Sequence, residues 1–265
     1  MILGIDFGIS TTDVALLENC RVKKTFFIKP GALKNLEKAI AKNNINLSTI
    51  DHIALTGDKT KQKNMFGKPI YRVPELKAIG FGGAFLSKYK NALIVSMGTG
   101  TCIVSFKNGK IKHVAGTGLG GGTIVGLSHR LVGENEASNL GSLASKGELS
   151  KTDLTVKEAI GSGIGLVPGS ATASNLVKPH KVKKATLALG IQNMVAETNA
   201  VIAALAAKKE KHDKIVFIGK TCQFPMVKKV IKRVLAYYGP TPMFPKLGGS
   251  GTAIGAAAFQ GNCFK

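Results

Sequence analysis

Three short runs of glycine, serine and threonine carry the chemistry open to this chain. The first, Asp6-Phe7-Gly8-Ile9-Ser10-Thr11-Thr12-Asp13, lies between apolar stretches at 2–5 and 14–17. The second, Ser96-Met97-Gly98-Thr99-Gly100-Thr101-Cys102, lies between apolar stretches at 93–95 and 103–104. Each reads as a strand, a turn of small and hydroxylated residues, and a returning strand. Such a turn lines up backbone N–H groups and hydroxyls in a concave nest that binds anions such as phosphate. Two copies predict a duplicated fold that clamps a polyphosphate between its halves. The third run, Gly116-Thr117-Gly118-Leu119-Gly120-Gly121-Gly122-Thr123, precedes Ile124-Val125-Gly126-Leu127, an apolar pattern that can open a helix. Glycines allow close backbone approach, and a helix N-terminus adds a positive dipole end for phosphate. A ligand-free glycine hairpin is the plainer account of any one run, and three in this order speak against it.

Phosphoryl transfer needs positioning, neutralised charge and a carboxylate to orient or deprotonate the nucleophile. Carboxylates are scarce here, with 15 Asp and Glu against 37 Lys and Arg. Glu75 follows the strand-like Ile70-Tyr71-Arg72-Val73 and Pro74 and starts a helical stretch, which sets it at a lobe edge facing the cleft. Taken alone, that position favours a carboxylate that merely complements the helix dipole over a catalytic base. Asp6 stands in the first turn, where a carboxylate can hold magnesium through water, because that ion keeps several waters and needs few protein ligands. A turn-forming Asp bonded to its own backbone is the alternative. Thr11, Thr12 and Thr99 offer hydroxyls and N–H groups to phosphates. Gly219, after the apolar strand 215–218, would let adenine approach the backbone beside Lys220 and Thr221, or would simply turn the strand into a helix.

Segments 6–13, 96–102, 116–127, Ile215-Val216-Phe217-Ile218-Gly219 and Gly251-Thr252-Ala253-Ile254-Gly255-Ala256 resemble five motifs of type II pantothenate kinases. In order, these are the phosphate-1, phosphate-2, glycine-rich, adenosine and final connecting motifs of that family, which belongs to the superfamily of sugar kinases, Hsp70 and actin. The likeness runs almost end to end and takes in Leu55-Thr56-Gly57 and Glu75-Leu76. It also includes Val167-Pro168-Gly169-Ser170-Ala171-Thr172-Ala173-Ser174-Asn175, similar to the family's substrate- and dimer-side loop. The resemblance implies an α/β, actin-like (ribonuclease H-like) duplicated fold with a nucleotide cleft between two lobes. It implies ATP- and Mg2+-dependent phosphorylation of pantothenate, the first step of coenzyme A biosynthesis, with Glu75 as catalytic base and Asp6 on the metal. ATP would be held by Asp6, Gly8, Ser10, Thr11, Thr12 and Asp13 of the first turn and by Gly98, Thr99 and Gly100 of the second. Gly120, Gly121, Gly122 and Thr123 of the glycine loop, and Gly219, Lys220 and Thr221, would complete that set. Thr99, Cys102, His113, Gly116 and Thr172 would meet the acceptor substrate. A cytoplasmic homodimer is implied as well.

Three residues depart from the family pattern. Asp13 stands where these kinases usually have a lysine that contacts phosphate, and a carboxylate cannot do that job unless a metal bridges it. Cys102 replaces a small hydroxyl residue, and His113 replaces an arginine that contacts the acyl substrate. His113 can still donate a hydrogen bond and, when protonated, carry charge; otherwise it is a strand histidine facing solvent. Other readings stay open: a catalytically weak or inactive nucleotide-binding regulator on the same fold, or a kinase for another small alcohol. An ATPase activator of a radical dehydratase would need cysteines for a shared iron–sulfur cluster, and no suitable pair is visible in the sequence.

The elements that must position these residues follow from pattern. A chain of 265 residues can bury a sizeable core, and alternating strands and helices predict α/β architecture. The first lobe, 1–90, is expected to hold strands up to residue 17 and at 22–28, a helix at 32–43, a strand at 53–55 and a helix at 76–86. The second, 91–265, repeats the order with strands at 92–97, 102–106 and 111–115, then helical and loop material over 124–173. A long helix at 183–208, a strand at 214–218, a helix at 226–238 and a last helix from Thr252 complete it. The long helix is apolar on most faces, at 185–191 and 200–207, which predicts burial against its own lobe and against a second copy, or core burial in a monomer.

Cys20, Cys102, Cys222 and Cys263 show no CxxC spacing, so neither a metal site nor a disulfide framework is expected, in keeping with a reducing cytoplasm. No apolar span reaches membrane length and no signal peptide is seen, so no membrane partner is expected. The net charge of +22 comes from lysines spread along helices and turns. It reads as a solvated surface that attracts anionic substrates. Without a recognition-helix motif, an aromatic-interleaved basic strip or any Trp, a specific nucleic-acid partner is not expected.

Overall fold

Two sheets of matching connectivity form the frame, as seen in a computed structural model that describes residues 1–31, 33–57, 62–178 and 181–264. In the first sheet, β1 (Ile2–Phe7), β2 (Thr12–Glu18) and β3 (Arg21–Ile28) run antiparallel in turn. Helix α1 (Leu33–Lys42) then leads to β4 (His52–Thr56), parallel to β1. The short β5 (Asn64–Met65) precedes β6 (Lys68–Arg72), which is parallel to β4. Helix α2 (Glu75–Ser87) crosses to the second sheet. There β7 (Asn91–Met97), β8 (Thr101–Lys107) and β9 (Lys110–Thr117) repeat the antiparallel meander.

Helices α3 (Gly121–Val132) and α4 (Ala137–Ala144) follow, then β10 (Leu154–Thr155), α5 (Val156–Ile160) and β11 (Thr172–Ser174). The long α6 (Lys184–Glu210) leads into β12 (Lys214–Ile218), parallel to β7. Helix α7 (Pro225–Tyr238), β13 (Thr241–Met243) and α8 (Gly251–Gln260) close the chain. The strand orders β3-β2-β1-β4-β6 and β9-β8-β7-β12-β13 are the same pattern used twice, as the paired turns predicted. The expected helix start at Ala32 lies outside the described residues. The short β13 and the β10–β11 pair had no expectation; three residues or fewer give too little periodicity to read.

Both faces of each sheet are covered, which is why β2 and β7 read as near-continuous apolar runs. In the first sheet, Leu3, Ile5, Val14 and Leu16 pack under Leu36 and Ile40 of α1. Ala15 and Leu17 point the other way, to Ala253, Ile254 and Ala257 of α8. In the second sheet, Leu93, Val95, Ile215 and Phe217 face α6 and α7. Ile94, Val104 and Val216 face Ile79 and Ala84 of α2. Helices α2 and α8 therefore lie back to back between the sheets. Their contact depends on glycine: a Cβ on Gly255 would stand 1.9 Å from Ala78 O, and one on Gly82 2.0 Å from Gly251 O. Bare backbones let the two helices, and so the two sheets, approach closely.

The long helix is buried on several sides by its own chain, including by α7, α3 and α4. The absence of a disulfide is corrected: Cys20 and Cys263 are bonded, with Cα atoms 5.3 Å apart, while Cys102 and Cys222 are free. The bond closes a sequence separation of 243 residues. Local spacing could not reveal it. Packing α8 onto β1 and β2 carries the chain end back to the β2–β3 turn and sets the two sulfurs within bonding reach. No helix among the described residues is long and apolar enough to cross a membrane.

Candidate active site

The two turns that the sequence singled out occupy the same place in the two sheets, between β1 and β2 and between β7 and β8. They meet. Ser10 Oγ and Thr99 Oγ1 are 2.8 Å apart and share a hydrogen bond between the lobes. Gly8 and Ser10 are exposed at the tip of the first turn, whereas Thr12 is buried beneath it, paired with Phe7 and Ile28 in the sheet. In the second turn, Gly98 N donates to Gly100 O at 2.9 Å, which curls the backbone so that Thr99 projects toward the first.

The glycine-rich loop docks on that second turn. Gly121 N donates to Gly98 O at 2.7 Å and Gly122 N to Thr99 O at 2.9 Å. A Cβ on Gly120 would stand 2.5 Å from Thr99 O, and one on Gly121 2.6 Å from Thr221 Oγ1. These glycines thus bring two stretches of backbone together and fix the turn's shape. Thr123 Oγ1 donates to Gly118 O at 2.9 Å and steadies the loop from within. Asn199 of α6 holds it from behind. Its Nδ2 donates to Leu119 O at 2.8 Å and its Oδ1 accepts from Thr117 Oγ1 at 2.9 Å. Sequence reasoning missed Asn199; a buried amide in a helix apolar on most faces was the available signal.

Gly219 caps β12 at φ 93°, and a Cβ there would stand 2.3 Å from Met97 O. Backbone so close to β7 in the left-handed region requires glycine. It delivers the next two side chains to different lobes. Thr221 Oγ1 donates to Gly98 O at 3.0 Å in the second turn. Lys220 Nζ reaches across to the first, where it pairs with the Asp13 carboxylate and donates to Thr11 Oγ1 at 3.0 Å. The same ammonium lies 4.7 Å from the Phe27 ring centroid. Ser250 Oγ, just before α8, stands 3.5 Å from Asp13 Oδ1.

The carboxylates gather beside these turns. Asp6 is pushed up to about 7, first by burial and then by the charges of Asp13 and Glu75, with Lys220 opposing the shift. Gly57, at φ 74°, lets β4 pass close by: a Cβ there would stand 3.1 Å from Asp6 Oδ1. Glu75 is exposed at the first position of α2. Burial and the Glu75 charge push the Cys102 thiol up to about 11, so Glu75 also adjoins β8. Cys102 pairs with Gly116 across β8 and β9, and the exposed His113 has Nε2 3.8 Å from where a Gly116 Cβ would lie. Glu75, Cys102, Gly116 and His113 therefore share one wall.

Among the described residues, no group of three or more His, Cys, Asp or Glu is disposed around one ion. Magnesium does not ask for such a cage, since it keeps waters and takes phosphate oxygens. A carboxyl raised to about 7 among other carboxyls is a donor that a divalent cation relieves, so Asp6 fits the role.

Thr172 stands apart from the turns. Its Oγ1 accepts from Asn193 Nδ2 at 3.2 Å, and Asn193 is six residues before Asn199, about 9 Å along the helix. There Asn193 also donates to Asp153 Oδ2 at 2.9 Å and accepts from Arg233 at 2.8 Å. Beside this buried polar group lies a cavity of about 370 Å3 lined by Thr172, Asn175, Glu197, Val201 and Tyr237.

Comparison with known proteins agrees with the geometry. The profile of the family named Fumble matches residues 87–258. A type II pantothenate kinase from Oceanobacillus iheyensis is 31% identical over 268 residues, 96% of this chain and 97% of that one. One from Bacillus anthracis is 29% identical over 273 residues, 98% of each. Among solved structures, the activator of 2-hydroxyisocaproyl-CoA dehydratase from Clostridium difficile, with bound ADPNP, superposes at a TM-score of 0.66. It shares 16% identity, over 97% of this chain and 93% of that one. A ROK family glucokinase from Streptomyces griseus, in complex with glucose and AMPPNP, gives a TM-score of 0.60 at 12% identity, covering 97% and 98%. At such identities these two likenesses concern the fold, which is the duplicated actin-like one.

Proposed function

The chain belongs to the Fumble family, alongside type II pantothenate kinases, and on that premise we propose that it transfers the γ-phosphoryl group of ATP to pantothenate with Mg2+. The observation that carries the reading is the meeting of Ser10 and Thr99, which sets two phosphate-type turns face to face with Glu75 on the adjoining wall. The polyphosphate lies alongside the junction of the two turns, where Ser10, Thr11 and Thr99 offer hydroxyls. Asp6 would hold magnesium, which would supply charge neutralisation at the phosphates. Gly219 and Thr221 border the nucleotide from the second lobe.

The acceptor lies against Cys102, Gly116 and His113. Its hydroxyl oxygen forms the new bond to the γ-phosphorus, the bond to the ADP oxygen breaks, and Glu75 takes the hydroxyl proton. Glu75 stands at the head of α2, where the helix dipole complements a negative charge.

We place the protein in the cytoplasm as a homodimer. A mass of one chain by light scattering at micromolar concentration would reject the dimer. The activity is tested by coupled ADP release over pantothenate, pantetheine, pantoate and simple sugars. Turnover on pantothenate alone is expected, and turnover on a different member of the panel would reassign the acceptor.

A further inference from the structure

We propose that Lys220 is the cation that meets the nucleotide's phosphates, with Asp13 as the residue that positions it; this rests on the nucleotide-binding reading above. Three observations carry it. Lys220 leaves the end of β12, in the second lobe, yet its ammonium lies in the β1–β2 turn of the first, paired with Asp13 and bonded to Thr11 Oγ1 at 3.0 Å. An ammonium has three N–H donors. Among the described residues, Asp13 and Thr11 accept two of them and the Phe27 ring flanks the ammonium without accepting a hydrogen bond, which leaves the third N–H for an anion. The Lys220 side chain is also 31% exposed, so its head is not sealed off, whereas the Asp13 side chain is only 8% exposed and anchors it from below.

The charge balance points the same way. Asp6, Asp13 and Glu75 lie close enough for the other two to raise Asp6, and Lys220 is the group that opposes them. A polyphosphate entering among three carboxylates would be repelled, and a cation already fixed in the turn offsets that repulsion. Asp13 cannot itself donate to phosphate when ionised. It can hold the group that does. Because the lysine and the aspartate belong to different sheets, a phosphate on this ammonium is gripped by both lobes through one side chain.

The opposing account is that Lys220 serves only as the counterion of a buried carboxylate. Neutralising both partners separates the two. Removing Lys220 alone strands the Asp13 charge and can unfold the protein, so Asp13→Asn/Lys220→Met is the decisive variant, with Lys220→Arg as the charge-conserving control. The dissociation constants of Mg-ATP and of adenosine are measured by calorimetry for each. Loss of a charge-assisted hydrogen bond to phosphate predicts Mg-ATP binding about 10- to 100-fold weaker in the double variant. Adenosine affinity should be unchanged there, and Lys220→Arg should remain within a few-fold of the native protein. Native Mg-ATP affinity in the double variant would overturn the proposal, and so would equal weakening of ATP and adenosine. Failure of the native protein to bind Mg-ATP at all would instead overturn the nucleotide-binding reading on which it rests.

Discussion

Ser10 and Thr99 stand at equivalent places in two sheets of the same strand order, and their hydroxyls meet at 2.8 Å. Two half-sites of the duplicated frame are thereby joined: the hydroxyl of each turn bonds that of the other. What keeps the turns in register is close backbone packing, by Gly120 and Gly121 under the second turn and by Gly82 and Gly255 between α2 and α8.

That packing makes Gly120 a test of the nucleotide cleft. Any Cβ there collides with Thr99 O, which is backbone and cannot swing aside. Mg-ATP at 100 times its dissociation constant should stabilise the native protein by about 2.7 kcal/mol. Gly120→Val should abolish that gain and lower the melting temperature of the free protein. A full ATP-induced shift in the variant, read by scanning calorimetry, would count against the second turn as a phosphate site.

Glu75 is expected to separate binding from chemistry. Glu75→Gln keeps size and hydrogen bonding but cannot accept the acceptor's proton, so kcat should fall by about 10² to 10⁴. Mg-ATP affinity should barely change, because Glu75 stands at the head of α2 and not in either phosphate turn. Near-native turnover would leave Glu75 as a helix-end charge and shift attention to Asp13.

Asp6 gives a pH signature of defined sign. Burial and the neighbouring carboxylates push its carboxyl up to about 7 in the folded chain, from the ordinary 3.8 that it keeps when unfolded. Between those values the folded state holds a proton that the unfolded chain has released, so this group lowers stability as pH rises from about 4 to 7. The penalty is complete above about 7. Asp6→Asn should therefore raise the melting temperature of the ligand-free protein at pH 8 and change it little at pH 4.5. Magnesium needs the ionised carboxylate, so Mg-ATP affinity of the native protein should rise from pH 6 to pH 8, and in Asp6→Asn it should be weaker and flat. Calorimetry across that range checks both; a pH-independent native affinity would remove Asp6 from the metal.

The Cys20–Cys263 bond predicts thiol chemistry that depends on the redox state. Unfolded without reductant, the protein should show two reactive thiols, Cys102 and Cys222, and after reduction four. Reduction should also lower stability by about 2–4 kcal/mol, mainly by freeing the unfolded chain. Four thiols without reductant would mean that the two sulfurs stay unbonded in solution, as a reducing compartment would keep them.

Much was legible in the order of residues. Strand–turn–strand units are local, so alternation and glycine placed β7–β8 within one residue and β1–β2 within two, and α2, α6 and β12 followed from runs long enough to show a period. The resemblance carried by those motifs anticipated the family as well as the fold. Tertiary structure alone decided the rest, because it turns on contacts between residues far apart in sequence. Asp13 read as a misplaced charge until the chain brought Lys220 from 207 residues away. Asn199 was one amide in an apolar helix until the glycine loop lay upon it. Cys20 and Cys263 were unrelated until α8 packed on the first sheet. A sequence specifies which groups are available for such pairs, but spacing carries no record of a contact that burial and helix packing create only once both sheets are in place.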